Sequence, residues 1–342
     1  MVKLAVVILN WNGKGFLEKF LPSVVAYTNK PEYQIVVADN GSTDDSVVFL
    51  KENYPTIRLV ELSKNYGYAG GYNHALQQIE SEYYVLLNSD VEVTRDWTEP
   101  IVSFMDTNKE VSAAMPKILA YNNKENFEYA GAAGGFIDKF GFPFCRGRIL
   151  YNIEKDNNQY DKALEIFWAS GACMFVRAEA FWEAGGLDAD FFAHMEEIDL
   201  CWRLKRLGYT VYAIPASKVY HVGGGTLPNN NPRKLYLNYR NSLFLLQKNL
   251  SRRRLLPILV MRMLLDGASA LVYLSKLSFG FFWAVVRAHG RFYVSVFKTH
   301  RKRMQFGKKE KVKRVSKIYP RSMVFSFMIK KKLTFSRYAS RL

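Results

Sequence analysis

The sequence contains few cysteines and lacks the GxGxxG glycine motif. Only Cys145, Cys173 and Cys201 occur among its 342 residues, and no two of them form a CxxC pair. A sparse, odd set of cysteines excludes a disulfide framework and a cysteine-based zinc site, and it is typical of a reducing compartment. The missing glycine motif argues against a dinucleotide-binding site.

From the sequence we expect neither a leader peptide nor an uninterrupted membrane span. Met1 leads directly into a strand-like segment, without a basic region or a cleavage site, which predicts a cytoplasmic location. A spanning helix needs about 20 mostly apolar residues. The most apolar region, 255–286, is interrupted by Arg262, Asp266 and Lys276, so we expect no clean transmembrane helix.

Acidic residues are almost absent from the last third of the chain. Residues 230–342 contain 27 Lys and Arg against 2 Asp and Glu, whereas residues 1–229 contain 21 against 29. The net charges are therefore +25 and −8, which together give the +17 of the whole chain. A hydrophobic content of 49% and an aromatic content of 15% exclude disorder as the main state. We expect a folded body and a basic region with a separate task.

Strand and helix patterns alternate over residues 1–120. Continuous apolar runs, typical of strands that are buried on both faces, occupy 4–9 and 83–87, and residues 34–38 repeat this pattern after Gln34. A further strand is predicted over 57–62. Helical periodicity lies between them, at 16–27, 44–54 and 71–79. This alternation predicts βαβ units and an α/β fold with a parallel sheet. Residues 131–158 are rich in Gly, Phe and Asn and predict a long loop or an irregular hairpin. A helix over 198–207 and a strand over 209–214 follow.

Polar clusters follow the predicted strands at the edge where parallel sheets bind ligands. These clusters are Asn10-Trp11-Asn12, Asp39-Asn40-Gly41-Ser42-Thr43-Asp44 and Asn88-Ser89-Asp90. The glycine-rich segment 65–73 would let backbone approach a phosphate just before a helix begins. Taken alone, the cluster at 39–44 is equally typical of a turn with a helix N-cap.

Two adjacent acids and one histidine are the candidate reactive groups of the second half. Glu196 and Glu197 follow aromatic residues, which favour a partly dry pocket where the pKa of a carboxyl rises toward that of a general base. Acids are also favoured in the first turn of any helix, and Asp199 is expected to pair with Arg203. His221 precedes a flexible glycine run, which makes it a better candidate than an isolated core histidine.

These segments, in this order, resemble glycosyltransferase family 2, and in particular the rhamnosyltransferase-like enzymes of bacterial polysaccharide assembly. The segments are VVILNWN at 6–12, VADNGSTD at 37–44, NYGYAGGYN at 65–73, LNSD at 87–90, GLD through CWR at 186–203, and HVGG at 221–224. The resemblance covers about residues 3–250. It implies the type A glycosyltransferase fold and an inverting transfer from a UDP- or TDP-sugar to a hydroxyl of a lipid-linked glycan.

The resemblance also implies which residues bind the nucleotide sugar. Asp39 would recognise the pyrimidine base, while Asn10 and Trp11 would line the nucleotide pocket. Arg240 is expected either to clamp a phosphate of donor or acceptor or to cap its helix. The complete set of expected nucleotide-sugar residues is Asn10, Trp11, Asp39, Asn40, Asn65, Gly70, Gly71, Asn73, Asn88 and Arg240.

Metal and catalytic roles are implied in the same way. Asp90 takes the last position of the family's DxD motif, a ligand of Mg²⁺ or Mn²⁺, and His221 matches a position that completes the metal site. Asn88 replaces the first Asp of that motif, which removes one charge from the metal site. Glu197 stands at the position of the catalytic base, and Glu196 is the second candidate for that role.

The basic C-terminal region predicts helices that lie in a membrane interface. Beside a wide apolar face, polar residues recur at helical spacing: Arg262, Asp266, Ser269, Tyr273, Lys276, Arg287, Arg291 and Lys298. Near an anionic leaflet each basic residue, including the cluster at 330–332, contributes about 1 kcal/mol. We therefore expect a catalytic domain over 1–250, with a nucleotide-sugar half (1–120) and an acceptor half (121–250). Residues 251–342 would attach it peripherally to the inner face of the cell membrane.

Other interpretations of the basic region remain open at this point. The helices would alternatively form an ordinary subdomain that packs on the body. A net charge of +25 also attracts nucleic acid, but no RNP, zinc or helix-turn-helix signature accompanies it, so we expect no nucleic-acid partner. The substitution at Asn88 also leaves open a catalytically silent, membrane-bound scaffold.

Overall fold

The computed structural model describes residues 2–223, 231–312, 314–329 and 334–338. Two predicted features, Gly224 and Gly225 of the glycine run at 223–225 and the basic cluster at 330–332, lie outside these residues. The strands of the main sheet are β1 (Leu4–Asn10), β2 (Tyr33–Asp39), β3 (Arg58–Glu61), β4 (Tyr83–Asn88), β5 (Val91–Val93), β6 (Val111–Ala120), β7 (Asn123–Phe127), β12 (Leu164–Ile166), β13 (Cys173–Arg177) and β14 (Thr210–His221).

Strand order in the main sheet places β1 at the centre of a parallel block. The order is β12-β14-β6-β13-β4-β1-β2-β3, with β5 added beside β14 and β7 beside β6. β1 pairs in parallel with both β2 and β4, and β2 pairs in parallel with β3. β13 is antiparallel to both of its neighbours, so the sheet is mixed. The residues of β1 and β4 are almost all buried, as the continuous apolar runs predicted.

Helices alternate with the strands of the main sheet, and the chain after β14 is mostly helical. They are α1 (Lys14–Tyr27), α2 (Ser46–Asn53), α3 (Gly67–Leu76), α4 (Glu99–Thr107), α5 (Ala178–Glu183), α6 (Glu196–Arg206), α7 (Pro232–Asn249), α8 (Arg252–Ser275), α9 (Phe279–Gly307), α10 (Met323–Ile329) and α11 (Phe335–Tyr338). The predicted α/β architecture with a C-terminal helical region is confirmed.

Residues 131–158, predicted as a long loop or an irregular hairpin, form most of a second sheet of short strands, so the loop is wrong and the hairpin alternative comes closer. Its strands are β8 (Gly135–Asp138), β9 (Pro143–Cys145), β10 (Arg148–Ile149), β11 (Asn152–Ile153) and, from the C-terminal region, β15 (Ile318–Tyr319). Phe136 and Phe144 of this sheet pack against Phe335 of α11. The aromatic residues that suggested an irregular loop are thus core residues, and the C-terminal segment covers them.

The predicted start of the third helix is also wrong. The pattern placed this helix over 71–79, whereas α3 begins at Gly67 and ends at Leu76. The side-chain oxygen of Asn65 accepts the backbone N–H of Gly67 at 2.8 Å, and this hydrogen bond satisfies an N–H group at the helix start. Gly70 and Gly71 therefore lie inside the helix, where they are buried, and not in the turn before it.

Candidate active site

The C-terminal ends of β1 and β2 bring the predicted base-binding residues together. Asn10 lies opposite Asp39 in the strand register, and its amide donates to the Asp39 carboxylate at 3.1 Å. The other carboxylate oxygen of Asp39 accepts the backbone N–H of Ser42 at 2.8 Å. The side-chain oxygen of Asn10 is buried without a hydrogen-bond partner in the described part of the chain. Such a group is costly unless a ligand satisfies it, which favours ligand binding at this edge.

The glycine-rich segment packs closely beneath the loop of Asn40. The Asn40 amide donates to the Gly67 carbonyl at 3.0 Å and to the side-chain oxygen of Asn65 at 3.2 Å. A Cβ atom on Gly71 would lie 2.9 Å from the Asn40 amide nitrogen, so the helix approaches this loop only with glycine there. A Cβ atom on Gly70 would likewise meet a side chain at 3.0 Å. Packing explains these residues, and their contact with a nucleotide stays a prediction.

The Trp11 side chain is exposed, whereas the Asn73 side chain is hydrogen-bonded to another part of the chain. The Trp11 side chain is 43% exposed beside the end of β1, where an aromatic surface is available for stacking. Asn73 instead donates to the Leu187 carbonyl at 2.7 Å and accepts the Leu187 N–H at 3.0 Å. Asn73 therefore joins α3 to the segment between α5 and α6. A direct role of either residue in nucleotide binding stays a prediction.

Asn88, Asp90 and His221 meet where β5 pairs with β14. His221 lies opposite Val91 in the antiparallel register, which places it next to Asp90. The imidazole Nε2 lies 3.1 Å from Oδ1 of Asp90 and 3.4 Å from the amide nitrogen of Asn88. Residues that are 131 positions apart in the sequence thus share one site, as the resemblance implied.

Glu128 is a member of this cluster that the sequence analysis missed. Its buried carboxylate lies 3.5 Å from Nδ1 of His221, on the side of the ring opposite Asp90. Burial lowers the pKa of His221, but the charge of Glu128 and the hydrogen bond with Asp90 outweigh it and raise the pKa to about 10. Glu128 follows a short, mostly exposed strand and belongs to no recognisable motif, so no signal in the sequence pointed to it.

Asp90 and His221 fit a divalent cation that is shared with a substrate. In the described parts of the chain, no three His, Cys, Asp or Glu side chains converge as a metal cluster. One carboxylate oxygen and one imidazole nitrogen nevertheless lie 3.1 Å apart, and the Glu128 carboxylate adds a second negative charge beside the same ring. Mg²⁺ and Mn²⁺ accept such a partial set when phosphate oxygens and water complete it. A closed protein cage is therefore not required.

Glu196 and Glu197 begin α6 and are placed in a dry environment. Oε2 of each carboxylate is buried without a hydrogen-bond partner among the described residues. Burial raises the pKa of Glu197 to about 7, while burial and the charge of Glu197 raise the pKa of Glu196 well above its usual range. The sequence predicted this direction from the neighbouring aromatic residues. A carboxyl that titrates near neutral pH has the properties of a general base.

Asp199 belongs to the structural framework behind these acids. Its fully buried carboxylate accepts from Arg203 at 2.8 Å, which confirms the predicted pairing at i and i+4. Lys248 and Asn249 of α7 each donate to it at 2.8 Å. These charges outweigh the opposing effect of burial and keep the pKa of Asp199 low. Asp199 therefore remains ionised and fixes α6 to α7.

Arg240 contacts the chain segment that leads into α6. Its guanidinium donates to the carbonyl oxygens of Asp190 at 3.1 Å and Phe191 at 2.8 Å, and its Nε donates to the Asn241 side chain at 2.9 Å. The structure thus gives Arg240 protein partners on the acceptor side of the site. The predicted contact with a phosphate stays a prediction.

The basic helix α9 is docked on the body through two acids near the site. Lys302 lies 2.5 Å from Asp188 and 2.6 Å from Asp190, and Lys298 lies 2.6 Å from Asp190. Burial opposes ionisation of both acids, but the lysine charges prevail and lower their pKa values. Packing on the body, which the sequence left open, therefore applies to the inner side of α9.

The outer sides of α8 and α9 are apolar and exposed. Arg262 and Asp266, predicted as part of an exposed polar stripe, are instead buried and form an ion pair of 2.9 Å. That prediction was wrong for these two residues because His289 and the Phe142 ring contact them from the inside. The large exposed apolar side chains are Leu256, Val260, Met261, Leu264, Leu271, Val272, Leu274, Leu277, Phe279, Trp283, Val286, Tyr293, Val294 and Phe297.

Helix α8 is long enough and apolar enough to cross a membrane, by length and composition only. The rest of the described chain buries less than a third of the most apolar stretch of this helix. Two of the three charged residues that led us to expect no clean span, Arg262 and Asp266, lie inside this helix.

Comparison with known proteins places these features in a common context. The family model described as Glycosyl transferase family 2 matches residues 5–185, which is 181 of the 342 residues. N-acetylglucosaminyl-diphospho-decaprenol L-rhamnosyltransferase of Mycobacterium tuberculosis is 26% identical over 236 residues, an alignment that covers 64% of this chain and 75% of that protein. Rhamnosyltransferase WbbL of Escherichia coli K12 is 23% identical over 225 residues, covering 63% and 82% of the two chains.

A solved structure shares the fold of the body. The crystal structure of GalNAc-T7 with UDP, GalNAc and Mn²⁺ superimposes with a TM-score of 0.56 at 16% identity. The match covers 72% of this chain and 48% of GalNAc-T7, so this chain spans about half the length of that protein.

Proposed function

Because the chain belongs to glycosyl transferase family 2, we propose that it transfers a sugar, with inversion, from a UDP- or TDP-sugar to a hydroxyl of a lipid-linked glycan. The chain is a glycosyltransferase with the type A fold, similar to rhamnosyltransferases. The mycobacterial relative is named for a diphospho-decaprenol substrate, which supports a lipid-linked acceptor here. The observation that carries the proposal is the acid pair at the start of α6: Glu196 is buried, Glu197 is partly buried, and Oε2 of each carboxylate has no hydrogen-bond partner among the described residues.

Glu197 is the proposed base of a single in-line displacement. Its carboxylate takes the proton of the acceptor hydroxyl while the acceptor oxygen forms the new bond to the anomeric carbon. The bond from that carbon to the diphosphate breaks at the same time, and the diphosphate leaves with the electron pair. One displacement inverts the anomeric centre, and positioned general-base assistance contributes about 10²–10⁴-fold to such a rate. Glu196 is the second candidate, because it shares the same dry environment.

The nucleotide sugar is proposed to bind along the strand ends. Asp39 and Asn10 would contact the base, and Trp11 would cover it with its exposed ring. The remaining proposed contacts come from Asn40, Asn65, Gly70, Gly71, Asn73, Asn88 and Arg240.

Asp90 and His221 are the proposed protein ligands of Mg²⁺ or Mn²⁺. GalNAc-T7, which shares the fold, was crystallised with Mn²⁺ and UDP, and this supports a divalent cation at the corresponding edge. When bound, the cation supplies positive charge beside the diphosphate, where negative charge develops as the leaving group departs. Asp90 and His221 hold that position, and Glu128 contacts the opposite side of the imidazole.

Nucleotide binding and transfer are tested in two steps. A thermal-shift screen of UDP-, TDP- and GDP-sugars, with and without Mn²⁺, identifies the donor, because a ligand at 100 times its Kd stabilises the fold by about 2.7 kcal/mol. The donor is then incubated with a diphosphate-lipid-linked saccharide, and the product linkage is read by NMR. We expect an inverted linkage and its loss in Glu197→Gln. A retained configuration or near-normal turnover of Glu197→Gln contradicts the mechanism, and no stabilisation by any nucleotide sugar favours the silent scaffold.

The exposed face of α8 and α9 is proposed to rest on the anionic, cytoplasmic surface of the cell membrane. Val294 and Phe297 are 75% and 86% exposed, and the basic residues Arg287, Arg291 and Lys298 are exposed on the same helix. An apolar face edged by Lys and Arg is suited to the boundary between headgroups and acyl chains. This attachment would bring the site to a lipid-linked acceptor.

Vesicle flotation tests this attachment. The full chain is expected to float with phosphatidylglycerol vesicles, less with phosphatidylcholine vesicles, and less again at high salt. Phe297→Glu should reduce flotation severalfold, whereas Val48→Glu on α2, also at an exposed apolar position, should leave it unchanged. Equal flotation of the two variants contradicts the proposed face. Retention by nucleic acid in place of vesicles favours the alternative partner.

A further inference from the structure

The segment that leads into α6 has a backbone conformation that needs external support. Phe192, His194 and Met195 have φ angles of +66°, +70° and +72°, a region that residues other than glycine rarely adopt. Met195 is also the residue at the N-cap of α6, directly before Glu196. Such conformations persist only where the surrounding structure determines them, and they are concentrated at functional sites.

Asn241 supplies that support from α7. It is fully buried, and its amide nitrogen donates to the carbonyl oxygens of Phe191 at 3.0 Å, Ala193 at 2.8 Å and His194 at 2.7 Å. An amide carries only two N–H groups, so three carbonyls share them. The side-chain oxygen of Asn241 accepts from Arg240, which itself bonds to the same segment.

The segment held by Asn241 also contacts the nucleotide half of the site. The Phe192 carbonyl accepts the backbone N–H of Ala69 at 3.2 Å. A Cβ atom on Gly67 would lie 2.5 Å from the Phe192 ring, so α3 is in close contact with that ring. The conformation of this segment therefore determines the distance and orientation of the acid pair of α6 relative to α3.

We propose that Asn241 is a positioning residue for sugar transfer, which fixes residues 191–195 and through them sets the carboxylate of Glu197 against the donor. This inference rests on the proposed role of Glu197 as base. Arg240 assists by holding the carbonyl oxygens at the start of the same segment. Asn241 acts in this role without contact with substrate, because protein groups already engage both its N–H groups and its side-chain oxygen.

A matched pair of variants tests the proposal in the full chain. Asn241→Ala removes the three bonds to the segment, whereas Ser242→Ala removes a buried hydroxyl of the next residue that has no hydrogen-bond partner among the described residues. We expect kcat to fall about 10²-fold in Asn241→Ala, the size of loss that a small misplacement of reacting groups causes. Binding of the nucleotide measured by calorimetry should change less than about threefold. Ser242→Ala should match the wild type in both.

The double variant separates positioning from a general structural effect. If Asn241 acts through Glu197, then Asn241→Ala costs no further activity, within about twofold, in a Glu197→Gln background. Losses that multiply in the double variant overturn the proposal, as does a kcat of Asn241→Ala equal to that of Ser242→Ala. If Asn241→Ala does not fold, Asn241→Ser, which keeps a single donor in place of the amide, is measured in the same cycle, with the same two outcomes.

The same measurements keep this proposal distinct from the proposed function. Near-normal turnover of Glu197→Gln removes the base assignment, whatever the Asn241 variant does. Inactive Glu197→Gln with a fully active Asn241→Ala leaves the base in place and overturns only the positioning role. Hydrogen exchange of residues 191–195 provides an independent readout, and we expect faster exchange in Asn241→Ala but not in Ser242→Ala.

Discussion

Replacing Glu197 by Gln should reduce activity and raise stability, and the gain in stability should depend on pH. Burial raises the pKa of this carboxyl from 4.5 to about 7. Each pH unit between two pKa values corresponds to about 1.4 kcal/mol, so the difference between these two pKa values corresponds to about 3 kcal/mol of folding free energy. The wild-type protein therefore loses stability when it ionises Glu197 at its site.

The direction of the pH dependence follows from the raised pKa. A carboxyl with a higher pKa in the folded protein than in the unfolded chain favours folding while it is protonated. For Glu197 this contribution is complete below pH 4.5 and is lost as the pH rises through about 7. Gln has no proton to lose, so Glu197→Gln should equal the wild type at pH 4. At pH 8 it should exceed the wild type by up to about 3 kcal/mol, which is several degrees in Tm.

The activity of the wild type should rise with pH over the range in which its stability falls. A base with a pKa of about 7 is roughly one-tenth ionised at pH 6, so kcat of the wild type should fall about tenfold between pH 8 and pH 6. In Glu197→Gln this acidic limb should disappear and kcat should fall about 10²–10⁴-fold at pH 8. Mn²⁺ and both substrates are kept saturating at each pH, so that protonation of His221 does not limit the rate.

Melting curves and initial rates at pH 4, 6 and 8 are the required measurements. Glu52→Gln on α2, an exposed acid, is the control and should show neither effect. Equal Tm differences between Glu197→Gln and the wild type at pH 4 and pH 8 would refute the argument from burial. A wild-type kcat that is flat between pH 6 and pH 8 would refute the argument for a base.

Two further predictions concern the metal site and the packing of α3. Asp90→Ala and His221→Ala should each weaken Mn²⁺ binding, measured by calorimetry with UDP present, and unchanged activity in EDTA would contradict the metal role. Gly71→Ala places a Cβ atom 2.9 Å from the Asn40 amide nitrogen. This variant should lower the free energy of unfolding by about 1–3 kcal/mol and should also weaken nucleotide binding. Gly15→Ala on α1, which meets no atom within 4 Å, should be neutral, and equal melting of the two variants would argue against this packing.

The nucleotide half of the fold was predictable because its signals are local. Strands β1 and β4 are buried on both faces, so their sequences are continuous apolar runs that stop where the polar site residues begin. The meeting of Asp39 with Asn10 follows from the parallel register of neighbouring strands. Fold class and the positions of these residues therefore depend on short segments that can be recognised one at a time.

The parts that were missed depend on contacts between distant segments. β8 pairs with β15, about 180 residues later, and Phe144 is covered by Phe335, so residues 131–158 considered alone do not decide between a loop and a hairpin and do not show that they form a sheet. Glu128 reaches His221 across 93 positions and follows an exposed strand without a motif. Asn241 was missed because its role consists of hydrogen bonds to carbonyl groups, which leave no trace in the sequence.

Helices α8 and α9 show why periodicity alone does not determine which face points inward. The spacing of Arg262 and Asp266 correctly separates a polar face from an apolar one, and on a water-surrounded protein the polar face would be outside. Here Arg262 and Asp266 satisfy each other inside, while Leu264 and Phe297 remain outside. An exposed apolar surface of this extent in water is unfavourable, and it indicates an interaction surface. Basic residues around it favour an anionic lipid surface over another protein, which is the arrangement that flotation of Phe297→Glu tests.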